Sequence, residues 1–241
     1  MDWTYTGIVL SARRHGETSA IVHLFTARHG RHAGLVRGGA GRRARSVLQP
    51  GNEVQATWRA RLSEQLGWFT LELAHARTAL VLDDAGRLAA FAAAAEILDA
   101  ALPEREPHAA AFAAVRELLS AIAGDADWPA AYARWELGLL GELGFAPDLA
   151  HAAGGGEWSV STRTGLPRAG PAGHPEHLAL PAFLAGPAAA ATPADVVTAL
   201  KLTGAFLSRA LHDERPRLPA RARLVERLAR EGTNSGVNQR G

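Results

Sequence analysis

The residues best suited to chemistry in this sequence are arginines in a glycine-rich stretch. Residues 37–45 interleave four arginines with three glycines, namely Arg37, Arg42, Arg43 and Arg45 with Gly38, Gly39 and Gly41. Three further arginines precede this stretch: Arg13, Arg14 and Arg31. Guanidinium groups pair with phosphate oxygens, and glycines let a backbone approach a polyanion closely. The pattern therefore predicts contacts with nucleic-acid phosphates. The alternative is a solvated arginine loop that has no dedicated ligand.

Two tryptophans lie in segments where apolar and polar residues alternate, which is typical of half-buried strands. In residues 54–62, Trp58 shares the apolar face with Val54 and Ala56, so we expect it to pack in a core. In residues 68–73, Trp68 lies on the more polar face with Glu72. Because an exposed indole stacks well on nucleic-acid bases, Trp68 joins the seven arginines above as a predicted DNA-binding residue.

Motifs for catalysis are missing from the sequence. It contains no P-loop, no G-x-S-x-G elbow and no H-E-x-x-H, and it has no cysteine for a disulfide, a nucleophile or a thiolate metal site. His174 and His177 form an H-x-x-H pair in a Pro/Gly-rich loop without an obvious third ligand. We therefore expect a protein that is not an enzyme, with no catalytic residue, metal or cofactor. A hydrolase with a buried carboxylate pair is the enzymatic alternative.

Charge is distributed unevenly along the 241 residues, although the net charge is only +2. Residues 1–80 carry +6, residues 81–214 carry −9 and residues 215–241 carry +5. This asymmetry favours a polyanion as partner of the basic head and a different kind of partner for the acidic middle. Met1 is followed by an acid, and long apolar runs are absent. We therefore expect no signal peptide, no membrane span and a cytoplasmic, nucleoid-associated protein.

Turn signals separate five short strand-like segments in about the first 75 residues, which is typical of a small barrel. After Asp83 the apolar spacing becomes helical, and Thr192, Pro193 and Asp195 together predict the start of a later helix. The predicted fold class is α+β. We assign a barrel domain to residues 1–80, a helical domain to residues 81–231 with a Gly/Pro-rich insertion at about 150–178, and a flexible tail to residues 232–241.

A second basic cluster follows the acidic middle of the chain. Its arginines are Arg215, Arg217, Arg221, Arg223, Arg227 and Arg230. The last three share one face of a helix, which suits a phosphate track and equally suits an ordinary solvated helix. The sequence leaves both interpretations open.

An ordered set of short motifs resembles the bacterial recombination mediator family RecO. The first block consists of Thr6-Gly7-Ile8-Val9-Leu10, His15-Gly16-Glu17-Thr18, Leu24-Phe25-Thr26, His29-Gly30, Val36-Arg37-Gly38 and Leu48-Gln49-Pro50-Gly51. The second consists of Arg134-Trp135-Glu136-Leu137, Leu139-Leu140, Leu143-Gly144-Phe145 and Asp148-Leu149, and a weaker third is Leu180-Pro181-Ala182-Phe183-Leu184. Single motifs are weak, but their order over about residues 1–230 makes the set specific.

The resemblance implies an amino-terminal five-stranded OB-fold barrel followed by an all-helical domain, and a non-enzymatic role in DNA repair through the RecF pathway. Proteins of this family bind single- and double-stranded DNA and anneal complementary strands. They associate with RecR and recognise the acidic carboxyl-terminal tail of single-stranded-DNA-binding protein (SSB), and so help to load the recombinase RecA onto SSB-coated strands. On this basis we predict that Arg134 and Trp135 bind the SSB tail. Core packing is the favoured alternative for Trp135, because it lies on the apolar face of its helix.

One stretch departs from the family pattern. Many relatives carry a four-cysteine zinc site after the Leu-Gly-Phe block, whereas this chain reads His151-Ala152-Ala153-Gly154-Gly155-Gly156 there. We therefore expect the zinc to be absent. The alternative to a DNA-binding mediator is an OB-fold adaptor whose arginine loop binds an acidic protein partner.

Overall fold

The computed structural model describes residues 1–62, 64–124, 126–150, 152, 156–186, 190–212 and 218–233, with the backbone alone for 234–237. The strands are β1 (Asp2–His15), β2 (Ser19–Thr26), β3 (Gly30–Val36), β4 (Glu53–Arg59), β5 (Trp68–His75), β6 (Trp158–Ser161), β7 (Pro167–Ala169) and β8 (His177–Leu180). The helices are α1 (Arg42–Val47), α2 (Ala85–Ala101), α3 (Ala109–Ala123), α4 (Trp128–Glu142), α5 (Ala182–Ala185), α6 (Pro193–Ala210) and α7 (Pro219–Val237), with a 3-10 helix at Arg77–Val81. Within these described ranges, no helix has the length and apolar character that crossing a membrane requires.

The first five strands close into a barrel in the order β1-β2-β3-β5-β4, and β4 pairs with β1. Neighbouring strands are antiparallel except β3 and β5, which pair in parallel through Leu35 and Trp68. β1 pairs with β4 through residues 2–8 and with β2 through residues 7–15, and its register with β2 shifts between Val9 and Ser11. Such a bulge increases strand curvature and helps a sheet to close. The predicted α+β fold, a five-stranded OB-like barrel followed by helices, is confirmed.

The barrel core follows the alternation seen in the sequence. Val54, Ala56 and Trp58 of β4 are buried, whereas Gln55 and Arg59 are exposed. Trp58 is 2% exposed, and its indole Nε1 donates to the carbonyl of Leu66 at 3.0 Å. The expected core position of Trp58 is therefore correct. The hydrogen bond matters because a buried indole N–H without a partner would destabilise the fold.

The segment predicted as an arginine loop over residues 37–45 is partly helical, so that prediction needs correction. α1 begins after Gly41, whose carbonyl accepts from the amide of Arg45 at 3.2 Å, and ends as Leu48 bonds back to Ala44 at 2.9 Å. Arginine and alanine are good helix formers, which explains the turn once the glycines end.

Two compact units share the chain. The first comprises Met1–Gly124 with Leu218–Arg221, and the second comprises Asp125–Arg217 with Ala222–Gly241. α2 and α3 thus belong to the same unit as the barrel, while the division at residue 80 stays a prediction about domains. α7 runs to Val237, beyond the residue at which the flexible tail is predicted to begin, and residues 238–241 lie outside the described part.

Within the first unit, a buried carboxylate ties the barrel to the elements packed on it. Glu53 at the start of β4 has a side chain only 3% exposed. Arg77 Nη2 donates to its Oε2 at 2.9 Å, and Arg116 Nη2 of α3 lies 3.2 Å from its Oε1. A buried charge destabilises a fold unless it is paired. The two arginines therefore offset the cost of burying the Glu53 carboxylate.

The second unit is built from α4, α6 and a small sheet. The sheet has the order β7-β6-β8, and its first two strands form the hairpin expected around residues 158–162. α6 begins with the predicted cap: Thr192 accepts from the amide of Asp195 at 3.1 Å, and Asp195 accepts from the amide of Thr192 at 3.0 Å. In the core of the second unit, Oγ1 of Thr203 on α6 donates to the buried carboxylate of Glu136 on α4 at 2.5 Å.

An aromatic cluster inside the barrel encloses a histidine. His32 is 4% exposed and presents its ring edge-on to Trp58, with centroids 4.7 Å apart. Trp3 stacks on His29 at 4.4 Å beside it. Neither ring nitrogen of His32 has a hydrogen-bond partner among the described residues. Burial, reinforced by the charges of Arg105 and His29, lowers the pKa of His32 to about 4.

The Glu53 cluster generates a stability prediction. Replacing Glu53 with Ala leaves the largely buried guanidinium of Arg77 without its carboxylate, so we expect the free energy of unfolding to fall by about 3 kcal/mol or more. Arg116→Ala is the comparison variant. Its side chain is 46% exposed, and we expect a loss of about 1 kcal/mol or less. Urea denaturation monitored by tryptophan fluorescence measures both, and equal losses would contradict the assignment.

The position of His32 generates a pH prediction. Below its ordinary pKa of 6.5, the unfolded chain binds a proton at His32 that the folded chain takes up only near pH 4. The contribution of His32 to the free energy of unfolding is therefore fully present above pH 6.5. It is lost as the pH falls toward 4, and the total loss is about 3 kcal/mol. In His32→Leu this contribution disappears. Chemical denaturation across pH 4.5–7 should show a weaker dependence in the variant, and parallel curves would refute the idea.

Candidate nucleic-acid interface

A groove of about 660 Å³ opens on the barrel where β3, α1, β4 and β5 meet. Three arginines and one tryptophan line it: Arg37, Arg43, Arg59 and Trp68. Its remaining wall is mainly apolar and includes Val36, Ala44, Val47, Leu48, Phe69 and Leu71. The groove therefore combines cations with an apolar surface.

Closure of the barrel positions these side chains. Arg37 follows the last residue of β3, and Trp68 is the first residue of β5, the strand that pairs with β3. The amide of Leu35 donates to the carbonyl of Gly67 at 3.0 Å. Arg59, the last residue of β4, lies opposite Trp68 in the β4–β5 register. Three strand ends thus meet at one place.

Gly67 makes the approach to β5 sterically feasible. Its φ is +65°, a left-handed conformation that glycine adopts readily. A Cβ at this position would lie 2.5 Å from the indole of Trp58. The turn that delivers Trp68 to the groove therefore packs directly on the barrel core.

Trp68 presents its indole to the surface, as the alternation predicts. Phe69 is buried at 4% exposure, and Trp68 next to it is 45% exposed. The guanidinium carbon of Arg37 lies 4.3 Å from the centroid of the Trp68 ring, within the range of a cation–π interaction. The arginine and the aromatic residue thus form one stacked surface.

Unpaired positive charge sets the electrostatics of the groove. No acid is found among the described residues that line it. Arg37, Arg43 and Arg59 also form no salt bridge within the described part of the chain. The guanidinium donors of Arg43 and Arg59 are therefore available to an anion from outside.

A second, smaller cavity of about 350 Å³ holds two more of the predicted arginines, Arg14 and Arg45. It shares Leu48 with the groove. Arg14 donates to the carbonyls of Gly16 at 3.2 Å and Glu17 at 3.1 Å, so its side chain is anchored in its own turn. Arg13 and Arg42 are exposed but line neither cavity.

Arg31, also a predicted DNA-binding residue, is placed apart from the groove. Its Nε donates to the carbonyl of Leu102 at 2.8 Å, and its Nη1 lies 3.3 Å from Asp99 Oδ1. Only 17% of the side chain is exposed. Through these bonds Arg31 holds the end of α2 against β3. We therefore do not include Arg31 in the proposed binding surface.

Asp99 is the centre of this second buried network. His23 Nδ1 lies 2.6 Å from its Oδ1, and Ser11 donates to its Oδ2 at 2.9 Å. Burial by itself would raise the pKa of Asp99, but the hydrogen bond and charge of His23, together with Ser11 and Arg31, hold that pKa below its usual range. His23 thus has a structural partner in Asp99.

The sequence predicted three of the four arginine and tryptophan side chains that line the groove, Arg37, Arg43 and Trp68, but the prediction missed Arg59. The available signal was its place on the polar face of the alternating strand. That signal could not show that the end of β4 meets the start of β5.

In the second unit the two predicted tail-binding residues differ in exposure. Arg134 is exposed on α4; its Nε donates to the carbonyl of Phe183 at 3.3 Å, and its guanidinium lies 5.1 Å from the Phe183 ring centroid. Trp135 is 7% exposed and packs on Tyr132, with ring centroids 5.6 Å apart. The side chain of Trp135 therefore packs in the core and does not line an open pocket.

The remaining candidate residues are not gathered into a site. Arg215 and Arg217 lie outside the described residues, Arg223 is exposed, Arg227 pairs with Glu231 at 3.4 Å, and Arg230 donates to the Glu226 carbonyl at 3.3 Å. His174 and His177 meet edge-on with centroids 5.8 Å apart. No cluster of three or more potential metal ligands occurs in the described ranges, which leave out most of residues 151–155.

The closed barrel, its cationic groove and the helical second unit define an OB-fold protein with an arginine-lined groove. Two family models match the chain. Residues 1–77 match the family described as Recombination protein O N terminal, and residues 82–219 match Recombination protein O C terminal.

Relatives are similar over nearly the whole chain. The DNA repair protein RecO of Rhodospirillum centenum is 48% identical over an alignment of 250 positions, gaps included, which covers 98% of this chain and 98% of the relative. The DNA repair protein RecO of Rhodospirillum rubrum is 46% identical, covering 95% and 97%. That of Phenylobacterium zucineum is 43% identical, covering 96% and 99%. The chain belongs to the RecO family of DNA repair proteins, so the resemblance found in its motifs is confirmed.

Proposed function

We propose that this chain is a non-enzymatic, DNA-binding recombination mediator. In this role it binds single- and double-stranded DNA and anneals complementary strands. Together with RecR, it helps to load RecA onto SSB-coated single strands. Membership of the RecO family supports the role in repair. The observation that supports the DNA-binding step is the groove lined by Arg37, Arg43, Arg59 and the exposed indole of Trp68, with no acid among the described lining residues.

The chemistry of annealing follows from contacts with the backbone of the strands. Guanidinium groups that bind phosphates reduce the repulsion between two strands and leave base edges free to pair. Arg14 and Arg45 in the neighbouring cavity, with Arg13 and Arg42 exposed nearby in sequence, extend the supply of cations beyond the groove. No bond in the DNA needs to be made or broken.

DNA binding should depend steeply on salt because each phosphate contact releases counterions. In the double variant Arg43→Ala/Arg59→Ala, we expect weaker binding of single-stranded DNA. We also expect a plot of log K against log salt that is shallower by about 1.4, since each single-strand contact contributes about 0.7. Fluorescence anisotropy with a labelled oligonucleotide at several salt concentrations measures both quantities.

The matched control for this experiment is Arg163→Ala/Arg168→Ala. Both of these arginines are exposed in the second unit and line neither cavity, so the control removes the same net charge without changing a groove residue. It should keep the wild-type slope. If both doubles changed the slope equally, the groove would not be the DNA site. If wild type bound an acidic protein but no DNA, the adaptor function would replace the mediator.

For the SSB tail we retain Arg134 as the proposed cation, because it is exposed beside an aromatic ring in the second unit. A tail peptide is acidic and ends in phenylalanine, so Arg134→Ala should lower its affinity about tenfold, the loss typical of a charged hydrogen-bond donor. Fluorescence anisotropy with the labelled peptide measures this. Arg168→Ala should bind the peptide like wild type, and unchanged affinity in Arg134→Ala would place the tail site elsewhere.

A further inference from the structure

Trp68 offers an unusual surface for a residue at the start of a barrel strand. Because side chains alternate along β5, the burial of Phe69 in the core directs Trp68 outward. The exposed indole lies at the groove and is covered on one face by the guanidinium of Arg37. A planar cation thus occupies the place that another planar group could take.

The groove beside this stack has two kinds of wall. Val36, Val47 and Leu71 supply apolar surface, while Arg43 and Arg59 supply donors that no acid in the described chain neutralises. A ligand that suits both is a flat ring joined to an anion. A nucleotide has this character, because its base stacks on aromatic rings and its phosphate pairs with guanidinium.

Duplex DNA can satisfy only part of this surface. Its phosphates are accessible to arginine, but its bases are stacked on one another and offer no free face to an indole. An unpaired strand offers both its phosphates and its ring faces. The groove can therefore contact both the phosphates and a base of an unpaired strand, but only the phosphates of a duplex.

We propose that the groove binds an unpaired nucleobase, which stacks on the indole of Trp68 while Arg43 and Arg59 hold the adjoining phosphates. The base takes the ring face that Arg37 covers, and the displaced guanidinium moves to a phosphate. This surface therefore selects single-stranded over double-stranded DNA. The proposal rests on the DNA-binding function above and adds to it the part of the nucleic acid that the groove recognises.

The test compares three ligands of equal length: a thymidine oligonucleotide, an abasic strand with the same phosphates, and a duplex. In full-length Trp68→Ala we expect affinity for the thymidine strand to fall about tenfold, with less than about twofold change for the other two ligands. The slope of log K against log salt should stay at the wild-type value, because no charge is lost. Trp68→Phe keeps an aromatic face and should retain most of the affinity.

A second readout does not depend on how well Trp68→Ala folds. Thymidine strand should quench a component of the fluorescence of wild type that is missing in Trp68→Phe, and the abasic strand should not quench it. Equal losses of thymidine and abasic binding in Trp68→Ala would overturn the stacking proposal, as would wild-type protein that binds these two strands equally. Wild type without salt-dependent binding to any of the three ligands would instead refute the DNA-binding function itself.

Discussion

The parallel pairing of β3 with β5 is the contact on which the rest of this structure depends. It joins the two ends of the five-stranded sheet through Leu35 and Trp68, and so turns the sheet into a barrel. The same contact brings Arg37 beside Trp68 and sets Trp68 opposite Arg59. Closing the core and assembling the groove are therefore one event. A change that weakened this pairing would remove the groove along with the fold.

Arginines in the first unit divide into two groups according to their partners. Arg31 and Arg77 are largely buried and bonded to Asp99 and Glu53, where they hold helices and the 3-10 helix against the barrel. The arginines of the groove have no acidic partner among the described residues. A guanidinium already bonded to a buried carboxylate has little to offer a phosphate, so Arg31 and Arg77 are not suited to binding one. The total number of arginines is thus larger than the number whose guanidinium groups could bind an anion.

Patterns of short range in the sequence predicted much of the fold. Alternation identified β4 and β5 and separated inward Trp58 from outward Trp68, and the residues at Thr192 and Asp195 predicted the cap of α6. These features depend on neighbours within a few positions. Burial of Arg31 depends on Asp99 and Leu102, and the role of Arg59 depends on strand register. Such contacts join residues far apart in sequence, so alternation and composition carry no signal for them.

The stacking of Arg37 on Trp68 also bears on how the protein behaves at high concentration. A bare indole on a surface is a point through which copies of a protein associate. A guanidinium lying over the ring at 4.3 Å covers that point with a hydrated charge. Two such grooves also repel each other because both are positive. At this position the chain therefore keeps a large aromatic side chain at its surface without leaving both ring faces open to association.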